Sequence, residues 1–407
     1  MIDFIKRCET TQPRQHPVGI IGHHSGGTNA TLQRISSHCG DGYKVILNDT
    51  RSMNRADAAC LSLLAVVAWL TASSLSYGAS TRGATLPSNG DGSCSDDGYS
   101  TAPSGLPQRP DLLDGYKKIS PCRVAGVHYP VGYGNTALRD PINCQCLPSG
   151  VSADAISHFI RVVNTPDVTL DGFDFSLHGG YLVYCDGSAN LTITNSNFAM
   201  GTNRQSGVIG INPGCTNMRI TNSVFDGVGS SYPCGTWSVV TTMGAGIALH
   251  YNWIKNFSQH VLEANGGGAV SYKYNLVEEG GWCPGAHLNF SQLQGNYSAP
   301  QILFNTFVQH VQATGGEGIQ LEATDSITNA RVEYNTLISV PSGGKKALSY
   351  MIACHQDRGA TNTGFVAKNN YLDTRGAYGP FYPRQCINTT YANNWNMVTG
   401  FAFSDYP

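Results

Sequence analysis

The chain has 407 residues, with 25 lysines and arginines against 27 aspartates and glutamates, and only 13% of its residues are charged. This near-neutral balance gives no electrostatic case for nucleic-acid binding. The 47 glycines, together with the lack of a convincing helical period after residue 80, predict that helices are few and short.

The N-terminal region contains the only long apolar run, residues 58–70. A membrane-spanning helix needs about 20 apolar residues, so we expect no stable membrane span. The run follows Met53 and Arg55 and precedes small polar residues, which is the pattern of a secretory signal peptide. Because signal peptides begin a chain, we expect Met53 to be the functional start and residues 1–52 to be a non-native or disordered extension. Residues 53–79 are then the signal peptide, removed between residues 72 and 79; a signal anchor behind a genuine upstream tail, or a buried apolar segment, remains an alternative.

Two segments of different composition follow the predicted signal peptide. Residues 80–120 are rich in Ser, Gly, Pro and Asp, which is typical of a linker. Residues 121–160 are more apolar and are predicted to form an N-terminal cap over the open end of the domain that follows.

Ten of the thirteen cysteines lie after residue 79. An even number in an exported chain favours disulfides, whose pairing the sequence does not give. Cys144 and Cys146 are too close together for a zinc knuckle. Cys185 and Cys354 are expected to face the core, and one or both to be free buried thiols.

A short phrase recurs through residues 161–407: a few strand-forming residues, then Asn, then an apolar residue two positions on. Its copies are centred on Asn195, Asn222, Asn252, Asn275, Asn305, Asn335 and Asn369, at intervals of 27, 30, 23, 30, 30 and 34 residues, or 35 where the last copy is counted at Asn370. A repeat of this length with strand-like residues in each copy predicts coils that stack on one another. We expect the Asn residues from 195 to 335 to form one column, because an Asn amide can bond the Asn above and below it.

Over residues 150–400 this pattern resembles the right-handed parallel β-helix proteins of the pectin-lyase-like superfamily. The resemblance implies an all-β fold, a right-handed parallel β-helix over residues 161–407. That superfamily includes polysaccharide lyases, glycoside hydrolases, epimerases, adhesins and phage tailspikes. The fold alone therefore selects no activity.

Alternation along the predicted strands places a polar column on one face of the solenoid. Its ionisable members are Glu263, Glu322, His355 and Asp357, followed by Arg358. The same face carries the candidate substrate-binding residues His287, Asn289 and Gln320, and Trp282 lies in a loop beside it. Trp282 is expected either to stack on a sugar ring or to pack its loop against the coil. His260 has the opposite parity and is predicted to be a core or turn histidine.

Several chemistries are compatible with this column. Glu263 and Glu322 are expected two coils apart, about 10 Å, with Asn289 and His287 between them. Glu322 and Asp357 are expected in neighbouring coils, about 5 Å apart. The first separation approaches that of inverting hydrolases and the second that of retaining ones. As a third option, Glu263, Glu322 and Asp357 hold a Ca²⁺ ion that neutralises a uronate carboxylate. In a β-elimination His355 or Arg358 takes the proton; alternatively Asp357 and Arg358 form a surface ion pair and His355 is solvated.

The leading functional expectation is an exported carbohydrate-active enzyme that cleaves an acidic polysaccharide, with a lyase ahead of a hydrolase. Polygalacturonase-like and pectate-lyase-like signatures are missing from the sequence. The alternative is a non-catalytic secreted β-helix that binds glycan or serves as a surface scaffold or adhesin. Either protein is expected to be monomeric, to have a polysaccharide as its partner and to reside in the periplasm or outside the cell.

Overall fold

The computed structural model describes residues 106, 109–120, 122–199, 206–210, 214–227, 238–281, 287–311, 315–356, 360–382 and 386–404. The predicted extension, the predicted signal peptide and most of the predicted linker lie outside these ranges. So do three predicted site residues, Trp282, Asp357 and Arg358.

The chain forms a parallel β-helix with three long sheets, which confirms the all-β solenoid expected from the repeat. Sheet A contains Val151–Asp154, Phe159–Val163, Leu182–Asp186, Ser206–Gly210, Ser238–Thr242, His260–Ala264, Asn289–Leu293, Glu317–Ala323, Leu348–Gln356 and Ala377–Phe381. Sheet B contains Thr169–Asp171, Thr192–Thr194, Met218–Thr221, Ala245–His250, Gly267–Lys273, Asn296–Ser298, Gln301–Leu303, Ser326–Thr328, Arg331–Glu333, Thr361–Thr363, Val366–Lys368 and Thr390–Ala392. Sheet C contains Asn197–Ala199, Val224–Asp226, Trp253–Phe257, Leu276–Gly280, Thr306–Gln309, Thr336–Ser339, Tyr371–Asp373 and Trp395–Asn396.

Regular pairing within these sheets is parallel, except that Val151–Asp154 pairs antiparallel with Phe159–Val163 at the first coil. The helical elements of the described chain are three short 3₁₀ turns, Pro110–Leu113, Leu177–Gly179 and Ser342–Gly344. No helix in the described ranges is long and apolar enough to cross a membrane.

An asparagine ladder runs through the turn between sheets B and C. Asn252, Asn275, Asn305 and Asn335 are joined by side-chain hydrogen bonds of 2.9 to 3.1 Å, and the ladder continues through Asn370 and Asn394. These four confirm part of the predicted column. For Asn195 and Asn222 the prediction is wrong: the ladder position is filled there by Ser196 and Ser223.

The residue before each ladder position adopts a left-handed backbone conformation, with φ between 48° and 58°. Asn195 and Asn222 occupy this place in the early coils, and aromatic residues occupy it in the middle coils. Tyr251, Tyr274, Phe304 and Tyr334 stack with ring centroids 4.9 to 5.1 Å apart. A bulky residue is unfavourable in this conformation, so the stacking and burial of the rings must offset the strain.

A segment we call the strap, residues 109–120 and 122–131, lies along the side of the coils and covers these aromatic rings. Leu112, Leu113, Val124 and Val131 are buried in one apolar cluster with the stack and with the outer side of sheet C. The composition assigned residues 109–120 to a linker and residues 122–131 to a cap. Farther along, residues 142–147 pack against the core at the first coil.

Three disulfides have both cysteines in the described ranges: Cys144–Cys146, Cys185–Cys215 and Cys354–Cys386. Cys122 is disulfide-bonded as well. The expectation of free buried thiols at Cys185 and Cys354 is therefore wrong. Their partners lie 30 and 32 residues farther along the chain, which is about one turn of the solenoid. Each of these two bonds fixes residues of different coils to one another.

Candidate functional site

The polar face lies on the outer side of sheet A, in its later coils. The parallel register places Glu263, Gln292 and Gln320 in successive coils and Glu322 opposite His355. One predicted neighbour is therefore wrong: Gln292, not Asn289, follows Glu263. His355 faces Glu322, and Asp357, the predicted neighbour of Glu322, lies outside the described residues.

The physical reason is a local break in strand alternation. Val261 and Leu262 are consecutive and both belong to the apolar core. The same holds for Met351 and Ile352 two strands farther along the sheet. Where two consecutive side chains point inward, the regular alternation of inward and outward residues is interrupted. His260 and Glu263 therefore both lie on the outer side of the strand, although they are three residues apart.

Glu317, which the sequence did not single out, lies at the centre of the face. Its carboxylate oxygens lie 3.9 Å from Nε2 of His287 and 3.7 Å from Nε2 of His355. The residue is only 7% exposed. Its backbone N–H donates to the side-chain oxygen of Asn289 over 2.9 Å, which fixes the start of the strand. The structure thus brings His287, Asn289 and His355 together around a carboxylate.

The one sequence signal for this arrangement is the glycine that follows Glu317. A Cβ atom on Gly318 would lie 2.5 Å from the carbonyl oxygen of Met351 in the next coil. Only glycine fits this close approach. The sequence does not reveal that Glu317 turns toward His287 and His355.

Glu322 is surrounded by amide donors. Its Oε2 atom accepts hydrogen bonds from Gln294 over 2.8 Å, from Gln320 over 3.3 Å and from Gln292 over 3.4 Å. The fully buried Asn289 donates to Oε1 of Gln320 over 2.6 Å. Asn289 and Gln320 therefore position the carboxylate through one amide network.

Glu263 occupies a separate part of the face. It accepts hydrogen bonds from Ser238 over 3.1 Å, Thr241 over 3.4 Å and Asn265 over 3.4 Å. The register puts it two coils from Gln320, and Glu322 lies two residues farther along that strand. The carboxylates of Glu263 and Glu322 consequently belong to different hydrogen-bond groups.

His260 stands beside His287 on this face, with ring centroids 6.5 Å apart. Burial, with a smaller contribution from His287, lowers the pKa of His260 to about 3. It is therefore neutral at ordinary pH. Its Nδ1 atom is buried without a hydrogen-bond partner, as is Nε2 of His355.

Tyrosine rings border the face on the side of the last coil. The ring of Tyr382 packs on the imidazole of His355, with centroids 4.1 Å apart, and Tyr350 meets Tyr382 edge-on at 5.0 Å. Both tyrosines are partly exposed. This border places a phenol next to the histidine.

The proposed Ca²⁺ ligands do not converge in the described chain. Within it, no group of three or more His, Cys, Asp or Glu residues is placed to hold a metal ion. Glu263 and Glu322 are instead surrounded by hydroxyl and amide donors, whose protons occupy the space near the oxygens. Asp357, the third ligand proposed, lies outside the described residues.

A second concavity, away from sheet A, is a weaker candidate for a functional site. It has a volume of about 190 Å³ and lies between the strap and sheet C. Three of its charged or titratable groups are already engaged: Asp111 with Arg109, His310 with Glu279, and Arg375 with Asp373. We attribute this cavity to the packing of the strap and place the candidate site on sheet A.

Comparisons of the chain with protein-family models, with curated proteins and with solved structures gave no match. The functional argument therefore starts from the polar face of sheet A and from the chemistry of its side chains.

Proposed function

We propose that this chain is a carbohydrate-active enzyme that binds a polysaccharide across sheet A and cleaves it beside Glu317, Glu322 and His355. The observation that supports this most is the nearly buried Glu317 carboxylate between the imidazoles of His287 and His355. A carboxyl group and imidazoles in contact can hold and transfer protons. A structural role alone does not require three such groups from three coils.

The surroundings suit a sugar. Gln292, Gln294 and Gln320 present amides, which both donate and accept hydrogen bonds as sugar hydroxyls do. The buried nitrogens of His260 and His355 lack partners within the described chain, and buried polar atoms are normally bonded. Hydroxyl groups of a bound glycan would satisfy them.

Hydrolysis is the reaction that the charges favour. The strands Ser238–Thr242, His260–Ala264, Asn289–Leu293, Glu317–Ala323 and Leu348–Gln356 carry glutamates and histidines but no lysine or arginine. Glycoside hydrolysis uses two carboxyl groups. In this proposal Glu317 protonates the leaving oxygen, and Glu322 activates a water molecule or attacks the sugar. His287 and His355 orient Glu317.

Elimination from an acidic polysaccharide is the second candidate. It needs a base and an acid near the sugar, and the contact of His355 with Tyr382 provides an imidazole and a phenol. It also needs a cation to neutralise the uronate carboxylate. Arg358 or a Ca²⁺ ion would have to serve, and Arg358 lies outside the described residues.

The proposal extends to family and location. Three parallel sheets and a buried asparagine ladder support membership of the pectin-lyase-like superfamily. Disulfides that join neighbouring coils support export to an oxidising compartment.

The test is incubation of the mature protein with neutral and uronate-containing polysaccharides, with Ca²⁺ and with chelator. Hydrolysis gives new reducing ends that incorporate oxygen from labelled water, whereas elimination gives unsaturated products that absorb ultraviolet light. We expect labelled reducing ends. Unsaturated products would establish the second candidate instead.

Comparing the activity of a site variant with that of a control variant distinguishes a reaction on this face of sheet A from the activity of a contaminating enzyme. Glu317→Gln should lower turnover by about a hundredfold, the usual effect of losing an acid–base group. Asp171→Asn is the matched control, because Asp171 is an exposed carboxylate on sheet B that bonds Asn195. If no polysaccharide is cleaved but glycans are retained by the protein, the chain belongs to the non-catalytic class and the enzymatic proposal fails.

A further inference from the structure

The disulfide between Cys144 and Cys146 differs from the other two in its surroundings. Cys185 and Cys215 are fully buried, and Cys354 and Cys386 are 3% and 9% exposed. Cys144 and Cys146 are partly exposed, and Gln145 between them is exposed. An external thiol can approach this bond without opening the solenoid.

The backbone within the bond is unfavourable. Gln145 has a φ of 50°, a left-handed conformation that glutamine rarely adopts. Reduction releases this residue from the small ring that the disulfide closes. Opening the bond therefore removes a local conformational cost that the inter-coil disulfides do not carry.

Because the loop that it closes is short, this disulfide also stabilises the folded protein little through chain entropy. A disulfide stabilises a fold in part by restricting the unfolded chain, and this effect grows with the length of the closed loop. The separation is 2 residues for Cys144 and Cys146, against 30 and 32 for the other bonds. Folding thus protects this disulfide less than it protects Cys185–Cys215 and Cys354–Cys386.

A hydrogen bond identifies the sulfur that leaves. The backbone N–H of Cys146 donates to Sγ of Cys144 over 3.2 Å. An amide donor stabilises a thiolate at that sulfur, and a stabilised thiolate is the better leaving group. Attack at Sγ of Cys146 is therefore favoured.

We propose that Cys144–Cys146 is an exchangeable disulfide that oxidises external thiols while the inter-coil disulfides stay intact. An external thiolate attacks Sγ of Cys146, which forms a mixed disulfide and releases the Cys144 thiolate. A second thiolate then attacks the external sulfur of that mixed disulfide and releases the Cys146 thiolate. In total two thiols become one disulfide, the protein bond becomes two cysteines, and the protons of the two external thiols pass to Cys144 and Cys146.

The loop's position gives this exchange a structural consequence. Ile142, Cys144, Cys146 and Leu147 pack against the core at the first coil. Asp140, at the start of the loop, bonds His178 over 2.8 Å. The oxidised loop therefore closes this end of the solenoid, and reduction loosens it. This inference does not depend on the proposed function.

The experiment equilibrates the full mature chain in a series of reduced and oxidised glutathione mixtures. Samples are quenched with acid and alkylated, and mass spectrometry of the peptides reports each cysteine separately. For each disulfide we determine the ratio of the squared concentration of reduced glutathione to the concentration of oxidised glutathione at which half of the bond is reduced. We expect this value to be at least tenfold lower for Cys144–Cys146 than for Cys185–Cys215 and Cys354–Cys386. Circular dichroism should stay unchanged through this first step.

Two outcomes overturn the proposal: reduction of all three bonds together, and reduction of Cys144–Cys146 after either of the others. The double variant Cys144→Ser, Cys146→Ser provides a second check. It should keep the circular dichroism of the native protein and lose only the first reducible step. A first step that persists in this variant would assign the exchange to another bond.

Discussion

The side-chain oxygen of Asn335 accepts two hydrogen bonds from Asn305, one from the side-chain amide and one from the backbone N–H, each of 3.0 Å. The Asn305 amide also donates to the carbonyl oxygen of Tyr272 over 2.8 Å. Asn305 in turn accepts the backbone N–H of Asn275 over 3.0 Å. Each ladder asparagine therefore satisfies buried backbone groups of the turns on both sides of it.

Replacing a ladder asparagine should consequently destabilise the protein strongly. Asn305→Ala leaves the N–H groups of Asn275 without their acceptor in a fully buried turn, and each such group costs about 1–3 kcal/mol. We expect the free energy of unfolding to fall by about 3 kcal/mol or more. Asn296→Ala, on an exposed strand position, should change it by no more than about 0.5 kcal/mol. Denaturant unfolding with the disulfides intact measures both, and equal losses would contradict the ladder's role.

The ladder also shows how far the sequence could predict the fold. The repeat interval and the strand-like phrases were sufficient for the solenoid and for the ladder from Asn252 onward. Asn195 and Asn222 were misplaced because asparagine suits two adjacent positions, the ladder itself and the left-handed residue before it. Only the neighbouring coils decide between these positions, since Ser196 and Ser223 take the ladder place there.

The candidate site was predicted less well because its residues depend on strand bends. Alternation put Glu263 and Glu322 on one face, as the register does, but it misassigned the neighbour of Glu263 and missed Glu317. Val261 and Leu262 both point into the core. From the sequence alone, two consecutive apolar residues do not show where the regular alternation is interrupted. Strap contacts were equally unpredictable, because they join residues as far apart as Arg109 and Glu278.

That ion pair is the basis of a second prediction. Glu278 is 5% exposed and accepts hydrogen bonds from Arg109 and, over 2.6 Å, from Nε1 of Trp253. Removing the cation leaves a buried carboxylate without its charge partner, which is strongly unfavourable. Arg109→Met should lower the free energy of unfolding by about 2 kcal/mol, since Arg109 itself is partly exposed.

The same substitution in a Glu278→Gln background should cost much less, because no buried charge is then stranded. Arg161→Met is the surface control. Arg161 pairs with Asp154 over 3.2 Å at the surface, and such solvent-screened pairs contribute little to stability. If Arg109→Met costs the same in both backgrounds, Glu278 and Arg109 are not energetically coupled.

A third prediction concerns the stability of the protein in acid. The pKa of His260 is about 3 in the folded protein, mainly because of burial and secondarily because of His287, against about 6.5 for an unfolded histidine. Between these values the unfolded chain binds a proton that the folded chain does not. The free energy of unfolding should therefore fall as the pH drops from about 6.5 toward 3.

His260→Asn should remove this decrease from the plot of unfolding free energy against pH. Because each unit of pKa difference corresponds to about 1.4 kcal/mol, the two proteins should differ by up to a few kcal/mol at the acid end. His310 supplies a control of opposite sign. The hydrogen bond that His310 donates to Glu279 raises the pKa of His310, so its contribution is present at low pH and is lost as the pH rises through the folded-state pKa. Unfolding curves of the wild type, of His260→Asn and of a corresponding His310→Asn variant across this pH range give the differences. Parallel profiles for the wild type and His260→Asn would refute the assignment.

The last prediction addresses turnover at the proposed site. Glu322 receives three amide hydrogen bonds, and His355 contacts both Glu317 and Tyr382. If these groups handle protons, Glu322→Gln and His355→Ala should each lower kcat by about a hundredfold or more while the circular dichroism spectrum stays unchanged.

Because His355 contacts Glu317 and orients it in this proposal, the effects of His355→Ala and Glu317→Gln should not be additive. The double variant should be little slower than the worse single variant, as expected for residues that act as a unit. Gln294→Ala removes the shortest hydrogen bond to Glu322, of 2.8 Å, and leaves the carboxylate in place. It should therefore reduce kcat by a smaller factor than Glu322→Gln. Wild-type kcat in both Glu322→Gln and His355→Ala would exclude this face and direct attention to the loop that contains Trp282.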